Sequence, residues 1–185
     1  VHTRDGTTLR FESDFKYLGS WINSSEKDLK IRKGQAWSVL HSMKKVWSST
    51  LSARLKRSLF VATVESVLLY GAETWTLTTS MEKSLDGCYT RMLCMALNIP
   101  WQDHMRNSNL YAGWPKATEK IRERRLKLAG HCVHHSELAA CPTILWEPTQ
   151  GKASHGRRCL SFVDTLKRDT GLTSAEELRS CMLDR

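Results

Sequence analysis

Histidine and cysteine crowd one stretch of this chain. His131, Cys132, His134, His135, Cys141, His155 and Cys159 are all side chains that zinc accepts as ligands. His131 and His135 stand four residues apart, so one helix face would present both. The spacing is not that of a zinc finger, because no close cysteine pair precedes a close histidine pair. The HExxH signature also fails, since Cys132 stands where glutamate is needed. A small zinc-dependent interaction module on His131, Cys132, His135 and Cys141 is one reading. Surface histidines around a core cysteine is the plainer one. Other chemistries find less. There is no GxSxG elbow, Walker A loop or GxGxxG loop. Asp5, Asp14, Asp28, Asp86, Asp103, Asp164, Asp169 and Asp184 are scattered, and none forms the adjacent pair that holds two catalytic Mg²⁺ ions. No assembled active site and no resident cofactor are expected in this chain.

The basic residues point elsewhere. The formal net charge is +9 and the pI about 9.4. Such a charge favours an anionic partner, most often nucleic acid through phosphate neutralisation, although membrane surfaces attract it too. Arg54, Lys56 and Arg57 fall in the first turns of an expected helix. There the macrodipole disfavours each cation by about 0.3–1 kcal/mol. Either this is a solvated basic face or the helix start faces a polyanion. The segment TEKIRERRLKLAGHCVH carries Arg122, Arg124, Arg125 and Lys127. Arg122 and Arg125 fall within the arc of Ile121, Leu126, Leu128, Ala129, Cys132 and Val133. They snorkel or pair with a carboxylate of a neighbouring helix, or they reach phosphates. Arg157 and Arg158 end the basic run GKASHGRR, which is either a solvated loop or a further phosphate contact.

These side chains need a scaffold, and the pattern predicts a mainly α one. The hydrophobic fraction of 41%, with seven Trp, supports a core, and mean hydropathy is −0.42. No apolar run reaches the ~20 residues of a membrane span. The start, VHTRDGTT, has neither an apolar h-region nor an initiator Met. The six cysteines have irregular spacing and no CxxC pair, which suits a reduced intracellular protein. Thr7 to Ile22 alternates as a β-hairpin, with a turn at Ser13–Asp14 and Gly19 as a bulge or close approach. A first helix runs from Ser25, with a Ser25/Asp28 capping box, to about Trp47. Its stripe is Leu29, Ala36, Leu40, Met43 and Trp47. The longest apolar run, Leu51 to Leu77, reads as one buried helix with Ser52 as N-cap and Gly71 as stop. Ser80 caps a helix bearing Leu85, Cys88, Tyr89, Met92, Leu93 and Ala96, ended by Asn98 and Pro100. A connector with one helical turn around Asn109 leads to the basic helix, Thr118 to His134. Ser136 to Arg158 reads as a long loop. Two short helices follow, from Cys159 to Thr170 and, behind a Thr173/Glu176 capping box, through Leu178 and Met182.

Taken in order, these residues resemble a known family. Phe15-Lys16-Tyr17-Leu18-Gly19 resembles the primer-grip hairpin, motif E, that closes the palm of reverse transcriptases. Leu68-Leu69-Tyr70-Gly71-Ala72-Glu73-Thr74-Trp75-Thr76-Leu77 is similar to the LLYG-x-E-x-W-x-L run downstream of the palm in non-LTR, LINE-type retrotransposon polyproteins, especially RTE-like ones. Tyr89-Thr90-Arg91-Met92-Leu93, Trp101 with His104 and Asn107, and Arg124-Arg125-Leu126 with Ala129-Gly130-His131-Cys132 fit the same pattern. So do Asp164 and Asp169-Thr170-Gly171-Leu172. The order of the motifs over nearly the whole chain carries the resemblance.

The resemblance implies a division at residues 1–24 (end of the palm, primer-grip-like hairpin), 25–100 (helical thumb-like region), 101–135 (connector and basic helix) and 136–185 (loop-rich C-terminal region). It implies a piece of an RNA-directed DNA polymerase whose catalytic aspartates and Mg²⁺ sit in an upstream fingers–palm region. The primer-grip role would fall on Phe15, Lys16, Tyr17, Leu18 and Gly19. The expected partners are RNA, an RNA–DNA duplex and that upstream region, in the nucleus or cytoplasm and without a membrane. Ala153, Ser154 and His155 interrupt the basic stretch that the family usually carries after Gly151. The alternatives are an inert, degenerate retroelement remnant and the zinc module above.

Overall fold

A computed structural model describes residues 15–21, 24–135, 137, 139–147 and 160–184. The architecture is mainly helical, with a short antiparallel hairpin on its N-terminal side. Strands β1 (Lys16–Tyr17) and β2 (Ser20–Trp21) pair Lys16 with Trp21 and Tyr17 with Ser20. The chain therefore reverses at Leu18–Gly19, and Phe15 to Trp21 is not the single strand that the alternation suggested. Both turn residues have positive φ, +47° and +88°, as a two-residue hairpin loop that matches strand twist requires. The expected turn at Ser13–Asp14 lies outside the described residues.

Helix α1 (Ser25–Ser42) is capped by Ser24, whose hydroxyl accepts from the Lys27 amide at 3.1 Å. That frees Ser25 and Asp28, the expected capping pair, for other contacts. A single turn, α2 (Lys44–Trp47), follows, and the Trp47 indole donates to the Leu40 carbonyl at 2.8 Å. The long apolar run is not one uniform helix. Helix α3 (Ala53–Phe60) opens on the expected Ser52 cap. It widens into a π-helical turn at Val61–Glu65 and closes as α4 (Ser66–Leu68). Gly71 then takes the left-handed conformation, a 3₁₀ turn spans Ala72–Thr74, and Trp75 is extended.

Helix α5 (Thr79–Ala96) is capped by Thr78 rather than Ser80. The connector holds α6 (Asn107–Tyr111). Helix α7 (Ala117–His134) is the long basic helix. Within the expected loop, Cys141–Ile144 form a turn of helix, α8. Helices α9 (Phe162–Thr170) and α10 (Ala175–Leu183) close the chain. Their capping boxes are Ser161/Asp164 and Ser174/Glu177, the second one residue later than the pattern suggested.

Two apolar cores result. The larger joins α1 to α5 and the start of α7, with Leu40, Phe60, Val64, Leu68, Leu85, Met92 and Ile121 almost fully buried. The smaller gathers Ala129 with Val163, Leu166 and Leu178. Helix α7 runs through both, and Arg125 lies at the point where one gives way to the other.

Candidate nucleic-acid interface

The hairpin is held against the bundle by its tip carbonyls. Arg32 of α1 donates to the Gly19 carbonyl at 2.6 Å, and the Tyr70 hydroxyl donates to the Leu18 carbonyl at 3.0 Å. The Arg32 guanidinium lies 4.5 Å from the Tyr70 ring centre, a cation–π contact that ties the two clamps together. Behind them, Arg32 approaches Asp28 at 3.7 Å, and Asp28 accepts from the Trp75 indole at 2.9 Å. Gly71 closes the fit, because a Cβ there would stand 2.7 Å from the Ser20 hydroxyl. With the backbone engaged, Phe15, Lys16, Tyr17, Leu18 and Gly19 stay exposed, Leu18 at 75%. A cavity of about 680 Å³ opens between the hairpin and the end of α4, lined by Tyr17, Trp21, Tyr70, Glu73 and Arg124 among others.

The basic positions separate into two groups. Arg54 is exposed and makes no ion pair among the described residues. Arg124 is exposed and donates to the Leu69 carbonyl at 3.2 Å. Lys127 is exposed and pairs with Glu123 on its own helix at 2.6 Å, a solvent-screened contact that is cheap to exchange. The other described cations are engaged within the fold. Lys56 is buried and donates to the Trp47 carbonyl at 2.6 Å. Arg57 donates to the Leu110 carbonyl and lies over Trp114. Arg125 is 1% exposed, paired with Asp169 of α9 and bonded to the Trp75 carbonyl at 2.8 Å. Burial pushes its pKa down and Asp169 beside it pulls the other way. Arg122, still half exposed, meets Asp169 at 3.4 Å and Glu82 at 3.5 Å. Of the two readings for Arg122 and Arg125, pairing across helices is the one observed. Arg157 and Arg158 lie outside the described residues.

Sequence reading missed several polar groups. Between α7, α5 and the π-helical turn, Lys120 donates to Glu65 at 2.6 Å, and the Tyr89 hydroxyl donates to the same carboxylate oxygen at 2.7 Å. Burial first, and Glu65 second, raise the Tyr89 pKa far above its usual value. Arg168 ties α9 to the bundle by donating to the Leu77 carbonyl and to Glu82, at 2.9 and 2.8 Å. Asp28, Arg32, Glu65 and Glu73 were also unforeseen. A charge one helical turn from an apolar stripe was the only available signal, and it did not name the partner.

The histidine–cysteine stretch gathers no metal set among the described residues. The His131 and His135 rings lie with centroids 4.5 Å apart, tilted 53° to one another, His135 lies 2.9 Å from Glu137, and Cys132 and Cys141 are buried. His155 and Cys159 lie outside the described residues. Among the described residues, no helix is long and apolar enough to cross a membrane. No protein-family model, curated protein or solved structure matches this chain.

Proposed function

We propose that this chain is the thumb and C-terminal part of a retroelement RNA-directed DNA polymerase, and that it grips an RNA–DNA template–primer duplex by its backbone. The observation that carries the reading is the hairpin Phe15–Gly19. It is clamped by its carbonyls on a helical bundle while its side chains stay exposed beside Arg124. The order of motifs that resembles LINE-type polyproteins supports it. In this reading the chain performs no chemistry. The catalytic carboxylates and Mg²⁺ belong to an upstream fingers–palm region, against which the hairpin would pack. Backbone recognition by a basic surface needs no base contacts, so paired duplexes of different sequence should bind alike.

The test is a salt titration of binding to a labelled RNA–DNA duplex, with an unrelated duplex as control. Log K should fall linearly with log salt for both. Arg54→Glu and Arg124→Glu should each weaken binding and flatten the salt slope by about one, the effect of removing a single cation from a phosphate. No binding at low salt would overturn the proposal and leave an inert remnant as the better reading.

A further inference from the structure

A second groove, at the C-terminal turns of α5, is built of groups that the hairpin does not use. Its volume is about 860 Å³, within the ordinary range of small-ligand sites. No residue lines both this groove and the cavity beneath the hairpin. Trp37 of α1 and Met95 and Ile99 pack on the larger core and also line the groove, so they form its floor. Trp101, His104 and Met105 line it too and are exposed, Trp101 at 78%, so they form the rim. The Trp101 and His104 rings meet edge-on, with centroids 6.1 Å apart and planes at 83°. Single exposed apolar residues are ordinary, but these rim an apolar groove, which marks a contact surface.

Charge narrows the occupant. Arg91 lines the groove and is exposed, and its guanidinium bonds the Gly87 carbonyl of its own helix at 3.3 Å. The segments that supply the walls, residues 37–47 and 90–106, carry Lys44, Lys45, Arg91 and Arg106 against one carboxylate, Asp103. Asp103 does not line the groove. None of the four cations makes an ion pair among the described residues. Three kinds of partner fit part of this chemistry. A proline-rich segment packs on indole rings but brings no charge for the cations. An acidic peptide meets the cations and leaves the rings without a flat partner. An unpaired nucleic-acid strand uses both, since its bases stack on aromatic faces and its phosphates meet cations.

We propose that this groove binds a short run of unpaired nucleotides. A base stacks against Trp101 above the floor of Trp37, and an adjoining phosphate meets Arg91. Every base has a π-face, so the groove tolerates sequence. A base inside a duplex has both faces covered by its neighbours in the stack, so only an unpaired one enters. The inference goes beyond the duplex grip and uses a separate surface.

Fluorescence anisotropy of the 185-residue chain with a labelled deoxyadenosine decamer tests it. The controls are an abasic decamer, which keeps the phosphates and loses the rings, and a blunt RNA–DNA duplex. The decamer should bind roughly tenfold or more tighter than the abasic strand. Trp101→Ala should weaken the decamer roughly tenfold and leave the abasic strand unchanged. Trp101→Phe, which keeps a ring, should restore most of the affinity. Both Trp101 variants should keep the wild-type melting temperature and duplex affinity. Arg91→Gln should weaken both strands and flatten their salt slope by roughly 0.7, the value for one cation on a single strand. Equal binding of the decamer and the abasic strand, no binding of either, or a Trp101→Ala loss as large on the duplex as on the decamer would overturn the proposal. So would binding of a proline-rich decapeptide in place of the decamer. A base-dependent signal without duplex binding would sink the grip reading alone, and duplex binding without that signal would sink the groove alone.

Discussion

Arg125 shows how far a residue's role depends on what it meets. On a helical wheel it is a basic residue in an apolar arc. In the fold it is 1% exposed, ion-paired to Asp169, and bonded to the Trp75 carbonyl. Removing one member of a buried pair leaves the other charge without compensation, which typically costs 3–5 kcal/mol. Asp169 also lies 3.4 Å from Arg122 and 3.9 Å from Arg168, so the loss should fall at the lower end. Arg125→Met should therefore lower unfolding stability by about 3 kcal/mol in urea titration. The double variant Arg125→Met/Asp169→Leu should recover part of it, because two buried charges are removed together. A loss below about 1 kcal/mol for the single variant would show that Arg125 is not a pin between the two cores.

At the scale of elements, the central run explains its own irregularity. Lys56, Phe60, Val64, Leu68 and Ala72 are buried at intervals of four. In a regular α-helix a four-residue repeat drifts by roughly 40° at each step, since each residue turns about 100°. A wider π turn takes up that drift. The turn at Val61–Glu65 keeps Val64 in the core and brings Glu65 to Lys120 and Tyr89.

The cap of α10 gives an element-level prediction. The Glu177 Oε2 accepts from the Thr173 amide and hydroxyl, each at 3.0 Å, and from the Ser174 amide at 3.2 Å. The Thr173 amide, then that of Ser174, hold the Glu177 carboxyl below its usual range. A depressed folded-state pKa means the contribution is complete above the unfolded value of about 4.3. It is lost as pH falls through the folded value. The protection factors of the α10 amides, corrected for the intrinsic pH dependence of exchange, should therefore fall as the solution is acidified through that range, and Glu177→Gln should remove the dependence. Protection factors that stay flat across the same range in the wild type would argue against the capping role.

For the whole molecule, the two cores differ in size and share one helix. The larger spans Leu29 to Ile121, and the smaller has Ala129, Val163, Leu166 and Leu178 at its centre. Between them Arg122, Arg125 and Arg168 converge on Asp169 and Glu82. Fewer buried apolar groups mean a lower cost of local opening. Native-state hydrogen exchange should show α9 and α10 opening at a lower free energy than α5, while α7 divides, its first half following the larger core. Equal protection in α5 and α10 would mean that the polar junction couples the two cores into one cooperative unit.

Much of the scaffold was written in local pattern. Ser52 as cap, Gly71 in the left-handed conformation, Gly171 as the stop of α9, and the faces of α5 and α10 all follow from neighbours within a few residues. Local chemistry therefore determined that the chain is mainly helical behind a short hairpin. The caps at Ser24 and Thr78 were missed by one or two residues because several hydroxyls compete at each start, and packing selects among them. The turn at Leu18–Gly19 was missed because leucine seldom adopts positive φ. Here Arg32 and Tyr70 hold the carbonyls on either side of its peptide. Which cations face solvent was decided only in three dimensions. Arg124 and Arg125 are adjacent in sequence, yet one lines an open cavity and the other lies sealed between two cores. A helix turns about 100° per residue, and only the packing of α7 against Trp75 and Asp169 decides which of two neighbouring arginines turns inward.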